Sequence, residues 1–406
     1  MTSTPPGTGG ITVATEGDAG ASAEAPKRRS AAQRDALPPS RLESLDAFRG
    51  LTIAAMLVVN NPGTWSAIHA PLRHAAWHGW TPTDLIFPYF LFIVGVAMSL
   101  SFAKRLARGD DRRDLLRHAV RRGVVLIALG LALHAFPWVT TDYGRLRLPG
   151  VLQRIGLAYV LAVPAALWLG TRGRAMVAAA LLLGYWALLT LVPVPGGAAG
   201  VLEPGRDLGA WLDRAVFGTD HLWSQTRTWD PEGLLGTLPA VASILLGLLV
   251  GDWLRGRART ASTSARLAAA GALATAAGLL WGLVFPINKP LWTSSYALFA
   301  AGMAAMTLAA CHFVIDVRGL RRWAVPFVAF GVNALAAFFL SGIAARVLNM
   351  VPAPDGTGAL KPWLHRELFA GWLSPANASL AFALTFTAIW VAIMLALYRK
   401  GWSLRV

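Results

Sequence analysis

His69, His74 and His78 fall in one short polar stretch between two apolar segments of the chain. The reference pKa of an imidazole group is about 6.5. Near neutral pH the group can therefore take a proton from an attacking amine or hydroxyl and return it to a leaving thiolate. His74 is the strongest candidate for such a base, whereas His69 and His78 fit polar loop residues at a membrane interface. His74 and His78 could share a helix face as metal ligands, but no third ligand is evident, and we expect no metal site.

Asn60 ends the apolar segment before this stretch, and Asp84 begins the segment after it. The amide of Asn60 could donate a hydrogen bond to an oxyanion, although the following Asn-Pro-Gly equally fits an ordinary helix end. Asp84 could orient an imidazole, or it could cap the next helix together with Thr81 and Thr83. We take His74, Asn60 and Asp84 as the candidate catalytic residues and leave these alternatives open.

Other charged residues are candidates for holding the phosphates of a nucleotide cofactor. Asp46 and Arg49 stand three apart and can pair on one helix face. Arg154 lies about one turn inside an apolar segment, where we expect an acid or a ligand phosphate beside it. A basic cluster fits either phosphates or anionic lipids and comprises Lys104, Arg105, Arg108, Arg121 and Arg122. From these groups we select Asp46, Arg49, Arg121, Arg122 and Arg154 as candidate cofactor-binding residues.

Candidate substrate-binding residues lie near two further segments. Asp230 and Glu232 precede an apolar segment, where acids favour the helix dipole. Asn288 and Lys289 lie in a tight turn, where a lysine often only extends to the membrane surface. Trp77, in the polar stretch that carries His74, is the fifth candidate substrate-binding residue.

The composition predicts a membrane protein. The 406 residues are 55% hydrophobic and 14% charged, whereas about a quarter of the residues of a soluble domain are charged. The single cysteine, Cys311, excludes an intrachain disulfide and a redox pair. Residues 1–40 are rich in small residues and proline, so we predict a disordered cytosolic tail there and a transmembrane domain over 41–406.

We predict an all-α polytopic fold of about ten transmembrane helices, because a bilayer core of about 30 Å needs about 20 residues per helix. The predicted spans lie near 47–63, 84–104, 118–136, 151–170, 174–194, 232–254, 266–286, 291–313, 324–346 and 378–398. Most of the 37 lysines and arginines fall on one side of these spans. The positive-inside rule therefore places both termini in the cytosol and His74 on the outer face of the cell (inner or plasma) membrane. The net charge of +16 then reflects topology, and no nucleic-acid partner is expected.

Seven segments of the chain resemble, in order, one known family. They are RLESLDAFRGLTI, VVNN, HAAWHGWTPTDLIFPYFLFIVG, GVLQRIGLAY, WDPEGLLGTLPAV, NKPLWTSSYAL and GVNALAAF. They are similar to the heparan-α-glucosaminide N-acetyltransferase family and its bacterial relatives, from Arg41 to about Phe338. The resemblance implies an enzyme that moves an acetyl group from cytosolic acetyl-CoA, its co-substrate, to an amino sugar or a cell-envelope glycan across the membrane. It places His74 and Asn60 at the active-site positions of the family.

The resemblance leaves open whether the acetyl group passes through an acetyl-histidine or goes directly to the acceptor within a ternary complex, and we expect direct transfer with His74 as base. If CoA enters from the cytosol, its arm must reach through much of a core of about 30 Å, so we predict that the His74 loop dips inward and that His74 lies in a solvated central cavity. The rival function is a transporter or flippase of an envelope glycan intermediate, which would require mid-span acids that are almost absent here. A non-catalytic scaffold would leave Asn60 and His74 unexplained. Membrane lipids are expected partners, and a homo-oligomer is possible.

Overall fold

The computed structural model describes residues 42–402, which form 13 α-helices joined by loops and short turns. The helices are α1 (Glu43–Asn60), α2 (Ile86–Leu106), α3 (Arg112–Ala135), α4 (Val151–Trp168), α5 (Thr171–Leu191), α6 (Leu208–Phe217), α7 (Thr237–Leu254), α8 (Ala261–Trp281), α9 (Ser294–Cys311), α10 (Val325–Val332), α11 (Ala334–Met350), α12 (Leu360–His365) and α13 (Pro375–Arg399). The all-α prediction is confirmed. The predicted tail over residues 1–40 lies outside the described residues.

Each of the ten predicted spans coincides with helix. Within residues 42–402, seven helices are long and apolar enough to cross a membrane, and eight spans result if one bent pair counts as a span. The protein is therefore a multi-pass membrane protein. Helices α1 and α3 are not among the seven: α1 carries Glu43, Asp46 and Arg49 near its start, and the first half of α3 is rich in arginine. Ten spans thus stay a prediction.

The span predicted near 324–346 differs from the structure. It consists of two helices, α10 and α11, that bend by 74° at the residue between them, Asn333. Helix α10 lies directly against α1, because Gly50 and Gly331 have no side chain at the contact: a Cβ at Gly50 would lie 1.8 Å from the Phe327 carbonyl oxygen. Helix α11 turns away and leaves space beside the end of α1.

Helices α2 and α7 form the centre of the bundle. They meet along a stripe of glycines, where a Cβ at Gly95 would lie 1.9 Å from the Ile244 carbonyl oxygen and one at Gly247 would lie 2.1 Å from that of Phe92. Small residues allow such close approach of helix backbones in membranes. Most residues in the apolar stretches of α2, α4, α7 and α9 are buried, whereas most of those in α5, α8 and α13 lie on the surface.

Two long connections, residues 192–236 between α5 and α7 and residues 351–374 between α11 and α13, contain short helices. The first holds α6, and the second holds α12 followed by one wide helical turn, Arg366–Ala370. The connection between α1 and α2, residues 61–85, is mostly irregular, and we call it the His74 loop. It lies at the end of the bundle where α1 and α3 end and where α2, α4 and α7 begin, which we call the His74 end.

Candidate active site at the His74 end

His74 is held by the carboxylate of Asp84. Its Nδ1 lies 2.6 Å from Asp84 Oδ1, and the Asp84 side chain is only 1% exposed while that of His74 is 51% exposed. An ionised carboxylate only accepts hydrogen bonds, so Nδ1 carries the proton and donates it to Asp84. The other ring nitrogen, Nε2, then keeps its lone pair, which is the arrangement a general base requires.

Asp84 also fixes the loop that carries His74. Its Oδ2 accepts hydrogen bonds from the backbone nitrogens of Ala75 and Thr81, both at 3.0 Å, and from the Thr81 hydroxyl at 3.2 Å. Thr81 and Asp84 form a capping box at the short helical turn Pro82–Leu85, which leads into α2. The two roles considered for Asp84 are therefore not alternatives, since the same carboxylate does both.

Lys289 is the third member of this cluster. Its Nζ lies 3.4 Å from Asp84 Oδ1 and 3.1 Å from His74 Nδ1. Because Nδ1 already donates to Asp84, the ion pair with the carboxylate is the contact that satisfies Lys289. Burial lowers the pKa of Lys289 below its ordinary value, and the charges of Asp84 and Glu232 oppose this shift.

The position of His74 differs from the predicted central cavity. Half of its side chain is exposed, and the ring does not line any of the three cavities described here. The physical reason is the anchor: the buried group is Asp84, at the start of α2, and the imidazole rests on top of it. The inward dip of the loop is therefore not what this structure has.

Asn60 lines a cavity of about 230 Å³, which we call the Asn60 cavity. Its polar lining also includes His134, Arg147, Gln153 and Arg346. The residue that closes the helix end is Asn61, whose amide donates to the Leu57 carbonyl at 2.9 Å. No hydrogen bond described for residues 42–402 joins Asn60 to His74, so the structure does not bring these two candidates into contact.

Asp230 and Glu232 do not contact the helix dipole as predicted, because α7 begins only at Thr237. Both acids instead pair with Arg147: its guanidinium donates to Asp230 Oδ2 at 2.8 Å and forms a short contact with Glu232 Oε2. Burial alone would lower the pKa of Arg147, but Asp230 and Glu232 raise it above its ordinary range. Both acids therefore take part in one ion pair with Arg147, and the substrate contact predicted for them stays a prediction.

Trp77 and Asn288 differ in the exposed fraction of their side chains. Trp77 is half-buried, and its indole nitrogen donates to the Leu202 carbonyl at 2.7 Å while its ring packs against that of Trp229. Asn288 is fully buried. Its Oδ1 accepts from the Leu291 nitrogen at 2.8 Å, and its Nδ2 lies 3.3 Å from His78 Nδ1. Asn288 therefore shapes its turn, contrary to the predicted substrate contact.

The candidate cofactor-binding residues fall into separate places. Asp46 and Arg49 pair at 3.4 Å, as predicted, near the start of α1 and so at the opposite end from His74. Arg121 and Arg122 are exposed on α3, and the Arg122 guanidinium lies over the ring of Tyr159 at 5.5 Å. These residues do not form one contiguous cluster with Arg154.

Arg154 lies near the start of α4, at the His74 end. It is 2% exposed, donates to the Gly233 carbonyl at 2.6 Å, and lies over the ring of Trp292. The expected direct acid partner is absent among residues 42–402, and the charges of Glu232 and Asp213 act on it at longer range. Its Nε and Nη1 atoms are buried without a hydrogen-bond partner. The position of Arg154 does not fit a cytosolic cofactor site.

Four residues of this end escaped the reasoning from sequence: His134, Arg147, Asp213 and Arg346. A signal existed for Arg346, which is a lone charge in an otherwise apolar helix, and such residues mark functional sites by default. His134 and Arg147 flank a proline-containing connection and resemble ordinary interface residues. Within residues 42–402, no group of three metal-ligating side chains is placed to hold a metal ion.

Comparison with known proteins gives the family. A family model described as "Heparan-alpha-glucosaminide N-acetyltransferase, catalytic" matches residues 41–280. The chain is 30% identical to human heparan-alpha-glucosaminide N-acetyltransferase over 424 residues, which cover 90% of this chain and 60% of the human protein. The mouse protein of the same name is 29% identical over 351 residues, covering 74% of this chain and 53% of the mouse protein. The chain thus spans little more than half the length of these relatives. The resemblance inferred from the motifs is confirmed, and the chain belongs to the heparan-alpha-glucosaminide N-acetyltransferase catalytic family.

Proposed function

We propose that the protein is a membrane acetyltransferase that uses acetyl-CoA to acetylate the amine of a sugar or of a cell-envelope glycan. The family supplies the class of reaction. The observation that carries the proposal is the His74–Asp84 pair, in which a buried carboxylate fixes one ring nitrogen and the other is left as a base. The half-exposed ring leaves room for an acceptor to reach that base.

The reaction is a direct acyl transfer. The acceptor nitrogen attacks the thioester carbonyl carbon, a C–N bond forms, and Nε2 of His74 takes the proton that the nitrogen loses. The C–S bond then breaks, and the departing CoA sulfur receives that proton from His74. Lys289 assists by pairing with the Asp84 carboxylate that holds the ring, since its Nζ lies 3.4 Å from Asp84 Oδ1.

Asn60 is the proposed donor to the oxyanion that forms during this step. An amide preorganised toward the developing charge typically contributes about 10²–10³-fold in rate. Arg147 lines the Asn60 cavity together with Asn60 and also pairs with Glu232, in the segment before α7.

The CoA phosphates would lie on the basic side of the bundle. Arg121 and Arg122 are exposed there, and Arg49 lies near the start of α1. Guanidinium groups suit phosphate oxygens because their N–H donors match them in pairs. On the acceptor side, Trp77 and Lys289 are the two predicted substrate-binding residues whose side chains are partly exposed. We place the protein in the inner or plasma membrane, with membrane lipids around it and the His74 end outside.

The test compares wild type with His74→Ala in detergent, with acetyl-CoA and a panel of amino sugars. We expect acceptor-dependent release of the CoA thiol in wild type and a loss of about 10²–10⁴-fold in the variant, the range of general base catalysis. CoA binding, measured separately, is expected to be unchanged.

His69→Ala is the matched control, because His69 lies in the same loop but bonds only to the exposed Asn377. It is expected to retain activity. Binding of acetyl-CoA without release for any acceptor would favour the rival role as a transporter of a glycan intermediate, and flux into vesicles would then be measured.

A further inference from the structure

The turn that carries Lys289 contains a strained residue. Trp292 has a φ of 54°, in the left-handed region that bulky residues rarely adopt. Its backbone nitrogen donates to the Lys289 carbonyl at 2.9 Å, so the conformation of Trp292 closes the turn. We call residues 288–293 the Lys289 turn. A strained backbone of this kind persists only where surrounding contacts hold it, and such residues cluster at active sites.

The indole ring of Trp292 is held on several sides. It is fully buried, and its nitrogen donates to the Ser243 hydroxyl of α7 at 3.2 Å. The rings of Phe87 and Tyr296 pack edge-on against it, with centroid distances of 4.9 and 5.5 Å. The hydroxyl of Tyr296 in turn donates to the backbone carbonyl of Asp84. The same aromatic group therefore supports both partners of the lysine–carboxylate ion pair.

Arg154 lies against the same ring. Its guanidinium carbon is 5.3 Å from the centroid of the Trp292 ring, the geometry of a cation–π contact, which is strongest with tryptophan. Its Nη2 donates to the Gly233 carbonyl at 2.6 Å, whereas Nε and Nη1 are buried without a hydrogen-bond partner. A planar, weakly hydrated guanidinium is suited to stacking on an aromatic face. The indole ring and one carbonyl are thus the described contacts that hold this buried charge.

Packing alone does not account for an arginine at this position. A buried charge that only fills space can usually be replaced by an apolar side chain of similar volume at little cost in stability. The guanidinium also fits closely between two segments: a Cβ at Gly236 would lie 2.9 Å from Arg154 Nη2 and 3.5 Å from the Leu291 carbonyl oxygen. Arg154 therefore joins the start of α4 to the segment before α7 and to the Lys289 turn.

We propose that Arg154 is a positioning residue of the active site, whose guanidinium holds Trp292 in its strained conformation. The Lys289 turn then keeps its lysine against Asp84, the residue that fixes His74. This inference rests on the proposed function, since it concerns the same site. Arg154 makes no described contact with His74, so it acts through the turn and takes no part in the proton transfer.

The first experiment measures backbone hydrogen exchange by mass spectrometry, with the full chain in nanodiscs. Arg154→Gln keeps an amide for the Gly233 carbonyl but removes the charge beside the ring. We expect it to raise exchange in the Lys289 turn by about tenfold or more, the effect of losing a desolvated cation–π contact. Arg154→Lys retains a positive charge and is expected to restore most of the protection. The backbone N–H groups that report are those with hydrogen bonds inside the turn: Asn288, Leu291, Trp292 and Thr293.

The second experiment measures kcat and the KM for acetyl-CoA. We expect Arg154→Gln to lower kcat by about tenfold with KM unchanged, and to cause little further loss in a Lys289→Met background, because residues that act through one another are not additive. Equal losses of kcat in the two backgrounds would show that Arg154 does not act through Lys289, and would overturn the proposal.

Arg174→Gln is the matched control. Arg174 is also a mostly buried arginine, with 14% of its side chain accessible, but it pairs with Asp252 at the other end of the bundle. We expect this variant to unfold at a lower temperature without faster exchange in the Lys289 turn. An increase there equal to that of Arg154→Gln would reduce Arg154 to a general structural role and overturn the proposal.

Trp292→Phe is a milder second variant, which decides the question where Arg154→Gln does not fold. It leaves the arginine in place and weakens the stack, because the cation–π contact is stronger with tryptophan than with phenylalanine. We expect faster exchange in the Lys289 turn, by a smaller factor than for Arg154→Gln. Unchanged exchange in these variants would overturn the proposal. The expected exchange with no CoA release, even by wild type, would count against the proposed function alone.

Discussion

Asp213, on α6, is a buried carboxyl whose protonation is expected to affect stability. It is 2% exposed, and its Oδ1 accepts a hydrogen bond from the Leu234 nitrogen at 2.8 Å. Burial raises the pKa of Asp213 from 3.8 to about 7, although the Leu234 hydrogen bond and Arg154 oppose the shift. Between these two pH values the native state binds more protons than the unfolded state. Stability therefore falls as the pH rises through this window.

Asp213→Asn is expected to remove that fall. The amide keeps an oxygen for the Leu234 N–H but cannot ionise, so the variant should melt on the order of 5 °C higher than wild type at pH 8 and about equally near pH 4. Thermal unfolding in detergent at several pH values measures this. Asp220→Asn, at an exposed acid, is the control and should follow wild type. Parallel pH curves for wild type and Asp213→Asn would contradict the prediction.

At the level of single residues, the sequence predicted what local spacing can show. The i to i+3 pair Asp46–Arg49 and the association of His74 with Asp84 followed from their short separation. The sequence did not predict the partners of Asp230 and Arg154. Asp230 pairs with Arg147, whereas Arg154 contacts the Gly233 carbonyl and the Trp292 ring. Such pairings depend on how close the loops between different helices lie in the folded protein. A single sequence does not give the distances between those loops.

Among the helices, the contact between α2 and α7 leaves little room for added side-chain atoms. At Gly247 an added Cβ would lie 2.1 Å from the carbonyl oxygen of Phe92. That atom belongs to the backbone of α2, so the helices themselves would have to separate. Overpacking in a well-packed core typically costs about 1–3 kcal/mol, and a backbone contact falls at the upper end.

Gly247→Ala is therefore expected to lower the unfolding temperature and the yield of monodisperse protein in detergent. The matched substitution is Gly184→Ala on α5, where an added Cβ meets no atom within 4 Å. That variant is expected to be neutral or slightly stabilised, since alanine is favoured over glycine in helices by about 1 kcal/mol. Equal unfolding temperatures for the two variants would show that the α2–α7 contact is more compliant than the structure indicates.

The helices were predictable from hydropathy to within a few residues, but their breaks were not. The 74° bend between α10 and α11 falls in a continuous apolar run, VPFVAFGVNALAAFFL. Hydropathy depends on composition, and the residues on both sides of Asn333 are similarly apolar. The bend arises from packing, because α10 is held against α1 through Gly50 and Gly331.

For the whole molecule, the distribution of basic residues predicts its orientation in the membrane. Arg108 follows α2 at one end of the bundle, and Ala198 lies in the connection after α5 at the other. Both side chains are exposed. The single native cysteine, Cys311, is buried and can be replaced by alanine to give a background free of thiols.

In that background, Ala198→Cys is expected to react with a membrane-impermeant maleimide on intact cells, whereas Arg108→Cys should react only after lysis. The reason is the bias of lysine and arginine toward the cytosolic side. Gel-shift labelling measures both. Labelling of Arg108→Cys on intact cells, with Ala198→Cys protected, would reverse the orientation and put His74 in the cytosol.

The convergence of contacts on Asp84 has a consequence for how this protein can evolve. Four hydrogen bonds and one lysine meet at its carboxylate. Asparagine would keep the shape but lose the charge, and glutamate would displace the oxygens by one methylene. Either change would affect three properties at once, because the tautomer of His74, the fold of its loop and the start of α2 all depend on the same two carboxylate oxygens. No substitution at Asp84 therefore changes one of the three alone, which limits the changes that this position can accept.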